Sequence, residues 1–377
     1  VMVGRSVAAG GMVNVCGGIQ DSDNKGGFVA ELVEGLKRRG QWDPAFSWCL
    51  KYNRFAIPDY ADELLDAAGV RPLYLSMAAE PLIEDGRIAG VFVESKSGRT
   101  AVRAPLAIDA SGDGDIAVRA GAAFEMGRDS DGGCQAMSAA PLFLEYDGAK
   151  IDKEAFGVLL QEASRRTGVT LPSDSDRLRP VPATAHTFSC GMPHLTGHDA
   201  TDAESLSDAL IALRRQSREI FEFFRANTDH FDNAVVGPPP LLPGVRESRR
   251  IVCDERVRLD DALTGRRRGD GLFTVRQNVD IHRVSPDEPT IVLHKVKPYH
   301  MPYGALLPQG VENLLVIGRC IGGEHESHAS YRVMGDCLAM GEAAALAAGE
   351  SLKRGCSPRE APAEVIADAM RSRGYAL

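Results

Sequence analysis

The 377-residue sequence lacks the features that define several large classes of protein. It has no apolar run near the roughly 20 residues that a membrane-spanning helix needs, and its first residues carry no signal-peptide pattern. Its eight cysteines are scattered without a Cys-x-x-Cys pair, which favours reduced thiols over a disulfide framework or a zinc site. These absences predict a protein of the cytoplasm without a membrane span.

Positive charge is also scarce. The formal net charge is −9, and no run of lysines or arginines is interleaved with aromatic residues. The one basic cluster, residues 265–269, is three arginines between two glycines, which is typical of an exposed loop. A composition of 44% hydrophobic and 25% charged residues predicts a globular protein, and no nucleic-acid partner is expected.

The most informative segment is the C-terminal block, residues 313–349. An apolar run ends at Gly318 and is followed by a polar stretch that we expect to be a loop, with His325, His328 and Arg332. A helix rich in small residues then begins near Gly335. The order strand, glycine turn and helix is typical of a site where a nucleotide cofactor meets a helix N-terminus.

Periodicity predicts the other elements. Apolar residues at helical spacing predict helices at 26–39, 59–68, 116–120, 153–167 and 202–227. Alternating residues and turn signals predict strands at 72–76, 80–84, 88–94, 99–103 and 106–109, joined as a meander of hairpins.

Two segments resemble metal sites only superficially. An aspartate-rich segment ends at Lys25, which occupies a ligand position of a calcium loop, and Leu32 stands where the bidentate glutamate should be. His325 and His328 are one residue too close for a His-Glu-x-x-His motif, whose second histidine would replace Ala329. No metal site is predicted.

The predicted strand at 106–109 leads directly into a small polar loop. Ser111 and Gly112 leave the backbone open to a ligand, and Asp113 and Asp115 suit the positive end of the next helix. The alternative is an N-capped helix without a ligand.

Five segments in order resemble the FAD-dependent oxidoreductases of the two-dinucleotide-binding, glutathione-reductase-like fold, in their fumarate-reductase-like branch. They are residues 10–12, 108–128, 246–251, 299–303 and the C-terminal block. The resemblance implies an α/β protein: an FAD/NAD(P)-binding Rossmann-like three-layer fold with a β-meander and an inserted α+β substrate domain. It implies an FAD-binding domain at 1–128 and 304–350, a substrate or cap domain at 129–303, and a C-terminal helical extension at 351–377.

The sequence departs from this family pattern at its start. It contains no Gly-x-Gly-x-x-Gly segment, and Gly4 stands where the pattern has an acidic residue at the end of the second strand. We therefore expect a truncated chain whose parallel sheet lacks a central strand. Residues 1–377 alone are expected to bind FAD poorly, and the complete protein to bind it well.

The resemblance also assigns cofactor contacts to this chain. The flavin and its ribityl chain are expected to contact Gly10, Gly11 and Met12, and the adenosine half of FAD is expected to contact Ala110, Ser111 and Gly112. The central part of the cofactor is expected to contact Gly318 and Arg319. The pyrimidine end of the flavin is expected to contact Arg332, Val333 and Met334. The helix N-terminus near Gly335 is expected to stabilise negative charge on the reduced ring.

Four residues are candidates for catalysis. His325 is the first choice as an acid or base, and its alternative is a hydrogen bond to a loop carbonyl. Arg246 is suited to clamp a substrate carboxylate; alternatively, it joins its neighbouring arginines in ion pairs with Glu247 and Asp254. His300 and Tyr303 either lie over the flavin face or cap a strand.

The resulting hypothesis is an FAD-dependent oxidoreductase that transfers a hydride between flavin and a small polar or carboxylate-bearing organic substrate. The electron donor or acceptor is unknown: a pyridine nucleotide, a quinone, dioxygen and a partner protein all remain open, as does a homo-oligomer. The alternatives are a non-catalytic flavin-fold scaffold subunit and an RNA-modifying flavoprotein, which the net charge of −9 opposes.

Overall fold

The computed structural model describes residues 1–9, 11, 16–44, 49–146, 153–172 and 178–377. Two predicted cofactor contacts, Gly10 and Met12, lie outside these residues. The helices are α1 (Gly27–Arg38), α2 (Ile57–Ala67), α3 (Asp115–Arg119), α4 (Lys153–Thr167), α5 (Ala203–Asn227), α6 (Leu259–Thr264), α7 (His325–Tyr331), α8 (Met334–Arg354) and α9 (Ala363–Ser372).

The strands of the first half of the chain are β1 (Met2–Val3), β2 (Gly18–Gln20), β3 (Trp42–Asp43), β4 (Cys49–Tyr52), β5 (Pro72–Leu73), β6 (Met77–Glu84), β7 (Arg87–Ser95), β8 (Gly98–Arg103), β9 (Ala107–Asp109), β10 (Phe124–Met126), β11 (Met137–Ser138) and β12 (Leu142–Leu144). Those of the second half are β13 (Leu178–Pro180), β14 (Phe188–Cys190), β15 (His194–Leu195), β16 (Val235–Val236), β17 (Arg249–Ile251), β18 (Gly271–Val275), β19 (Val279–His282), β20 (Ile291–His294), β21 (Tyr299–Pro302) and β22 (Leu314–Val316).

Two parallel ladders form the Rossmann-like part of the fold. β1 pairs with β5, and β22 pairs with β9 so that Val316 lies opposite Asp109. Within the described residues each ladder is a separate two-stranded sheet. The inner face of α8 is a row of fully buried small residues, including Ala339 and Ala343, so this helix packs close to the apolar side chains of β22.

The predicted meander is confirmed. β6, β7 and β8 form an antiparallel sheet, and Glu84 lies opposite Arg87 across the first turn. Asp85 and Gly86 both have positive φ, at 50° and 75°, which is the geometry of a tight two-residue hairpin. The first predicted strand is shorter than expected, because β5 ends at Leu73 and β6 begins at Met77.

A second core lies in the region predicted to hold the substrate domain. The antiparallel strands are ordered β13, β14, β12 and β16, and aromatic side chains from this sheet and from α4 and α5 pack together around Phe143 and Phe224. The predicted helix at 202–227 is confirmed as α5, and the Asp202 side chain caps it by accepting from the Ser205 N–H at 2.7 Å.

The prediction of a polar loop between the strand at 313–317 and the following helix is wrong. Residues 325–331 form α7, and the Glu324 N–H donates to Ser327 Oγ at its start. Nearly every residue of this helix is buried although most are polar, so it has no apolar stripe from which an amphipathic helix is recognised.

The eight cysteines are present as thiols, four of them buried and four half-buried. No helix in the described part of the chain combines the length and apolar character needed to cross a membrane.

Candidate functional site

The polar loop after β9 is organised by Asp109. Its Oδ2 accepts hydrogen bonds from the N–H groups of Ile116 and Ala117 at 2.9 and 3.0 Å, and its Oδ1 accepts from the Ser111 N–H. The start of α3 is therefore capped within the chain, as in the alternative without a ligand. Asp115 lies in the first turn of α3, as expected, and also pairs with Arg249, whereas the Asp113 side chain contacts other segments.

These two carboxylates join three predicted motifs. Asp113 Oδ1 accepts from Arg319 Nη2 at 3.0 Å and from Ser248 Oγ at 2.6 Å. Asp115 pairs with Arg249. At Gly112, φ is +79° and a Cβ atom would lie 2.7 Å from Arg319 Nη2, so this close approach requires glycine.

A buried ion cluster surrounds Glu247, which is 2% exposed. Its carboxylate accepts from Arg250 Nη1, from His325 Nδ1 at 2.9 Å and from the Gln135 N–H at 3.1 Å. Arg250 also donates to the carbonyls of Gly127 and Gly323. The ion-pair alternative is therefore realised at Arg250, whereas Asp254 pairs with Arg359.

The Glu247 contact determines the form of His325. A carboxylate only accepts, so Nδ1 of His325 carries a proton and donates it to Glu247, which leaves Nε2 as the ring nitrogen that does not contact Glu247. His325 is thus bound to a carboxylate and not to a loop carbonyl, and its ring is 5% exposed at the start of α7. This is the arrangement of an oriented general base.

Arg246 lies in a different environment. Its Nη1 donates to the Ala136 carbonyl at 2.7 Å, and its charge acts on Cys16, Asp280 and His282. The side chain therefore belongs to a second polar cluster, next to the one that holds His325.

This second cluster was not predicted from the sequence. Arg332 Nη2 donates to the Asp280 carbonyl at 2.8 Å and to Gln135 Oε1 at 3.3 Å, and the His282 N–H donates to the same oxygen. Asp280 and His282 are two residues apart on β19, and this spacing puts both side chains on one face of the strand. That spacing was the only signal in the sequence from which this cluster could have been predicted.

Charge sets the protonation of this cluster. Burial, together with the charge of Arg246, lowers the pKa of His282 to about 2. Burial raises the pKa of Asp280, but its contact with His282 and the charge of Arg332 outweigh burial and hold the pKa below its usual range. Asp280 is therefore ionised at neutral pH, and His282 is neutral.

The other two catalytic candidates lie elsewhere. His300 contacts the arginine loop, with Nε2 2.7 Å from Arg267 Nη1 and Nδ1 accepting from the Arg268 N–H. Tyr303 donates its hydroxyl to the Pro358 carbonyl at 2.7 Å. Within the described residues, neither joins the His325 cluster, so their environment favours the structural alternative.

Several buried polar atoms remain without a hydrogen-bond partner in the segments predicted to hold a cofactor. They are Arg319 Nη1, both ring nitrogens of His328, and Arg332 Nε. His328 is fully buried, and burial followed by the charge of Arg332 lowers its pKa. Each unmade hydrogen bond costs about 1–3 kcal/mol, so these atoms fit a bound polar group.

The backbone beside these atoms also leaves room. Gly318 has a φ of +84°, and the nearest atom to a Cβ there would be Cys337 Sγ at 4.0 Å. Val333 is the N-cap of α8, and Met334 begins it. A nucleotide cofactor therefore fits the segments that follow β22.

The start of α8 holds an unexpected buried ion cluster. Lys25 Nζ lies 2.9 Å from Asp21 Oδ2 and 3.0 Å from Asp336 Oδ1, and all three side chains are almost inaccessible. Burial raises the pKa of Asp336 well above its usual range. A Cβ at Gly335 would clash with the main chain of Gln20 and Asp21, so this face of the helix N-terminus is covered by protein.

A cavity of about 90 Å³ opens between β4 and the β13–β14 hairpin. Its lining includes the basic side chains of Lys51, Arg54 and Arg179 together with Ser189. Arg54 and Lys51 also act electrostatically on Cys16, as Arg246 and Arg332 do.

Comparison with known proteins gives distant structural similarities. No curated protein sequence matches the chain. A geranylgeranyl bacteriochlorophyll reductase-like protein from Thermoplasma acidophilum is 11% identical, with a TM-score of 0.40 over 88% of this chain and 61% of its own. A myxobacterial chondrochloren halogenase, described as FAD-dependent, is 13% identical, with a TM-score of 0.40 over 92% of this chain and 68% of its own.

The p-nitrophenol 4-monooxygenase of Pseudomonas putida DLL-E4 is 12% identical, with a TM-score of 0.38 over 88% of this chain and 57% of its own. The chain thus spans about three fifths of the length of the reductase-like protein and of the monooxygenase. The sequence model of one family, described as FAD dependent oxidoreductase, matches residues 1–370. With motifs, fold and this match in agreement over almost its whole length, the chain belongs to the FAD dependent oxidoreductase family.

Proposed function

We propose that this protein oxidises or reduces a small carboxylate-bearing organic substrate, and that His325 transfers the proton that accompanies hydride transfer. The observation that carries the proposal is the Glu247–His325 hydrogen bond of 2.9 Å, which fixes Nδ1 as the protonated nitrogen. FAD supplies the hydride chemistry of the family when bound.

The surroundings of Glu247 support an orienting role. Its charge is neutralised by Arg250, which is 1% exposed and is itself held by two carbonyls. A carboxylate fixed in this way keeps the imidazole in one tautomer and one orientation. A positioned general acid or base typically contributes about 10²–10⁴-fold to a rate.

Positive charge supports an anionic substrate. Burial raises the pKa of Cys16, and the charges of four basic side chains oppose that rise. Positive charge from separate segments therefore acts at Cys16: Arg246, Arg54, Lys51 and Arg332. Arginine binds carboxylates through two parallel hydrogen bonds, which gives both affinity and orientation. The cavity of about 90 Å³ that is lined by Lys51 and Arg54 suits one polar end of a small molecule, because pockets for larger ligands span about 300–1,000 Å³.

The chain offers a defined set of residues to FAD. Those with unpartnered buried polar atoms or an open backbone are Arg319, His328, Arg332 and Gly318. Val333 and Met334 adjoin them at the start of α8. The family resemblance adds residues 10–12 and 110–112 to this set.

The substrate class is tested by anaerobic flavin reduction in the full-length, FAD-loaded protein. We would compare small 2-hydroxy and 2-amino acids with their amides. At least one acid should reduce the flavin more than about 10-fold faster than its amide, and Arg246→Gln should narrow this ratio. Arg215→Gln, at a 67% exposed arginine, is the matched control. Equal rates for every acid and amide, or an unchanged ratio in Arg246→Gln, would overturn the assignment.

A further inference from the structure

A chain of hydrogen bonds runs through the second polar cluster, outside the Glu247–His325 pair. Nδ1 of His194 lies 2.9 Å from the Met192 carbonyl, and Nε2 of His194 lies 3.0 Å from Nδ1 of His282. Nε2 of His282 lies 3.5 Å from Asp280 Oδ2. Both histidines are buried, at 4% exposure each.

Counting protons identifies an incomplete contact in this chain. The Met192 carbonyl can only accept, so His194 carries its proton on Nδ1 and offers Nε2 as an acceptor. His282 must then donate from Nδ1, which leaves its Nε2 unprotonated. Two neutral rings therefore account for the hydrogen bonds of the first two contacts. At the third contact, the lone pair of His282 Nε2 faces a carboxylate oxygen of Asp280.

We propose that the contact between His282 Nε2 and Asp280 Oδ2 is a proton-accepting site that takes up one proton from solvent when an anion binds at the adjacent arginine cluster. An N–H bond forms at His282 as an O–H bond of a hydronium ion or buffer acid breaks, and the electron pair stays on that donor. The identity of the anion as the substrate rests on the proposed function; the vacancy for a proton does not.

Neighbouring charges explain why the site is empty before the reaction. The groups that face His282 are Asp280 on its own strand, His194 on β15, Arg332 at the end of α7 and Arg246 before β17. The two arginines oppose a positive charge on the ring, whereas Asp280 favours it. An anion bound to the arginines removes their opposition, so substrate binding and proton uptake are expected to be coupled.

Unpartnered atoms indicate that the site opens towards a ligand. Gln135 is 2% exposed, and its Nε2 has no hydrogen-bond partner, although its Oε1 accepts from the His282 N–H. Arg332 Nε and Asp280 Oδ1 are also unpartnered. Gln135 Nε2, Arg332 Nε and Asp280 Oδ1 thus lack hydrogen bonds around a contact that lacks one proton, although Arg332 Nη2 and Asp280 Oδ2 lie 4.0 Å apart as an ion pair.

The test is nitrogen-15 NMR of histidine-labelled, FAD-loaded full-length protein, without substrate. At neutral pH, both rings should be neutral with the proton on Nδ1. A proton already on Nε2 of His282 would overturn the proposal. Because no turnover is needed, this result is independent of the proposed function.

A charge-reversal variant tests the coupling to the arginines. In Arg246→Glu, the imidazolium form of His282 should appear at a higher pH than in wild type, by at least roughly 1 pH unit, in a titration from about pH 8 down to the lowest pH at which both proteins stay folded. Arg215→Glu, at an exposed arginine, should leave the titration unchanged. Identical His282 titrations in wild type and a folded Arg246→Glu protein would overturn the proposal.

Discussion

Replacing Glu247 with Gln removes the only negative charge from a pair in which both partners are almost inaccessible. Glu247 and Arg250 are 2% and 1% exposed, so the variant leaves a guanidinium buried without its counter-ion. Breaking such a pair costs about 3–5 kcal/mol. Because Gln has nearly the same shape, this loss reflects charge and hydrogen bonding with little contribution from packing.

The free energy of unfolding, measured by urea titration, gives the value directly. Glu34→Gln is the matched control, since Glu34 pairs with Lys37 at 2.7 Å but is 54% exposed, and exposed pairs contribute about 0–1 kcal/mol. The double replacement Glu247→Leu with Arg250→Met should be less destabilised than Glu247→Gln, because no unpaired charge remains. A loss below about 1 kcal/mol in Glu247→Gln would refute the reasoning.

Three further changes test other parts of the account. Gly112→Ala should lower the free energy of unfolding by about 1–3 kcal/mol, because φ is +79° and Arg319 blocks the added methyl group. Gly40 also has a positive φ but has open space around it. Gly40→Ala should therefore lose less free energy of unfolding in the same urea titration. Lys25→Met should cost about 3–5 kcal/mol at pH 8 and less at pH 5. The sign follows from Asp336, whose raised pKa means that the folded state binds a proton more tightly than the unfolded state. The free energy of unfolding therefore falls as the pH rises. An equal loss at pH 8 and pH 5 in Lys25→Met would contradict this. Tyr303→Phe should cost about 0.5–1.5 kcal/mol without changing flavin content or turnover, and a large loss of turnover would return Tyr303 to the active site.

Local signals in the sequence were sufficient for much of the fold. The turn at Asp85 and Gly86 predicts the β6–β7 hairpin, and Asp202 predicts the start of α5. Each depends on hydrogen bonds or dihedral angles within a few residues. Such features are encoded where they occur, so one sequence is enough to find them.

Features that depend on distant contacts were missed or misassigned. α7 has no apolar stripe because most of its buried residues are polar, and a short polar segment without an amphipathic period resembles a loop. Gln135 meets His282 across 147 residues of chain, and no spacing rule predicts that contact. At α3 the cap is Asp109, seven and eight residues before the amides it accepts from, beyond the usual range of capping patterns.

The predicted site residues divided in the same way. His325 was identified by its place after a strand and a glycine turn, but its partner Glu247 became visible only in the structure. His300 and Tyr303 were chosen for their chemistry beside Pro302, whereas their side chains contact Arg267 and the Pro358 carbonyl. Chemistry alone selects residue types, and tertiary contacts decide which of them meet.

The most direct test of the central claim is the pH dependence of anaerobic flavin reduction in FAD-loaded wild type and His325→Gln, with the carboxylate substrate found in the screen. The His325→Gln protein should retain FAD, its flavin should be reduced about 10²–10⁴-fold more slowly, and the rate should lose the pH dependence that a general acid or base confers. His294→Gln, at an exposed histidine, should behave as wild type. A His325→Gln protein with the rate and pH profile of wild type would contradict the account.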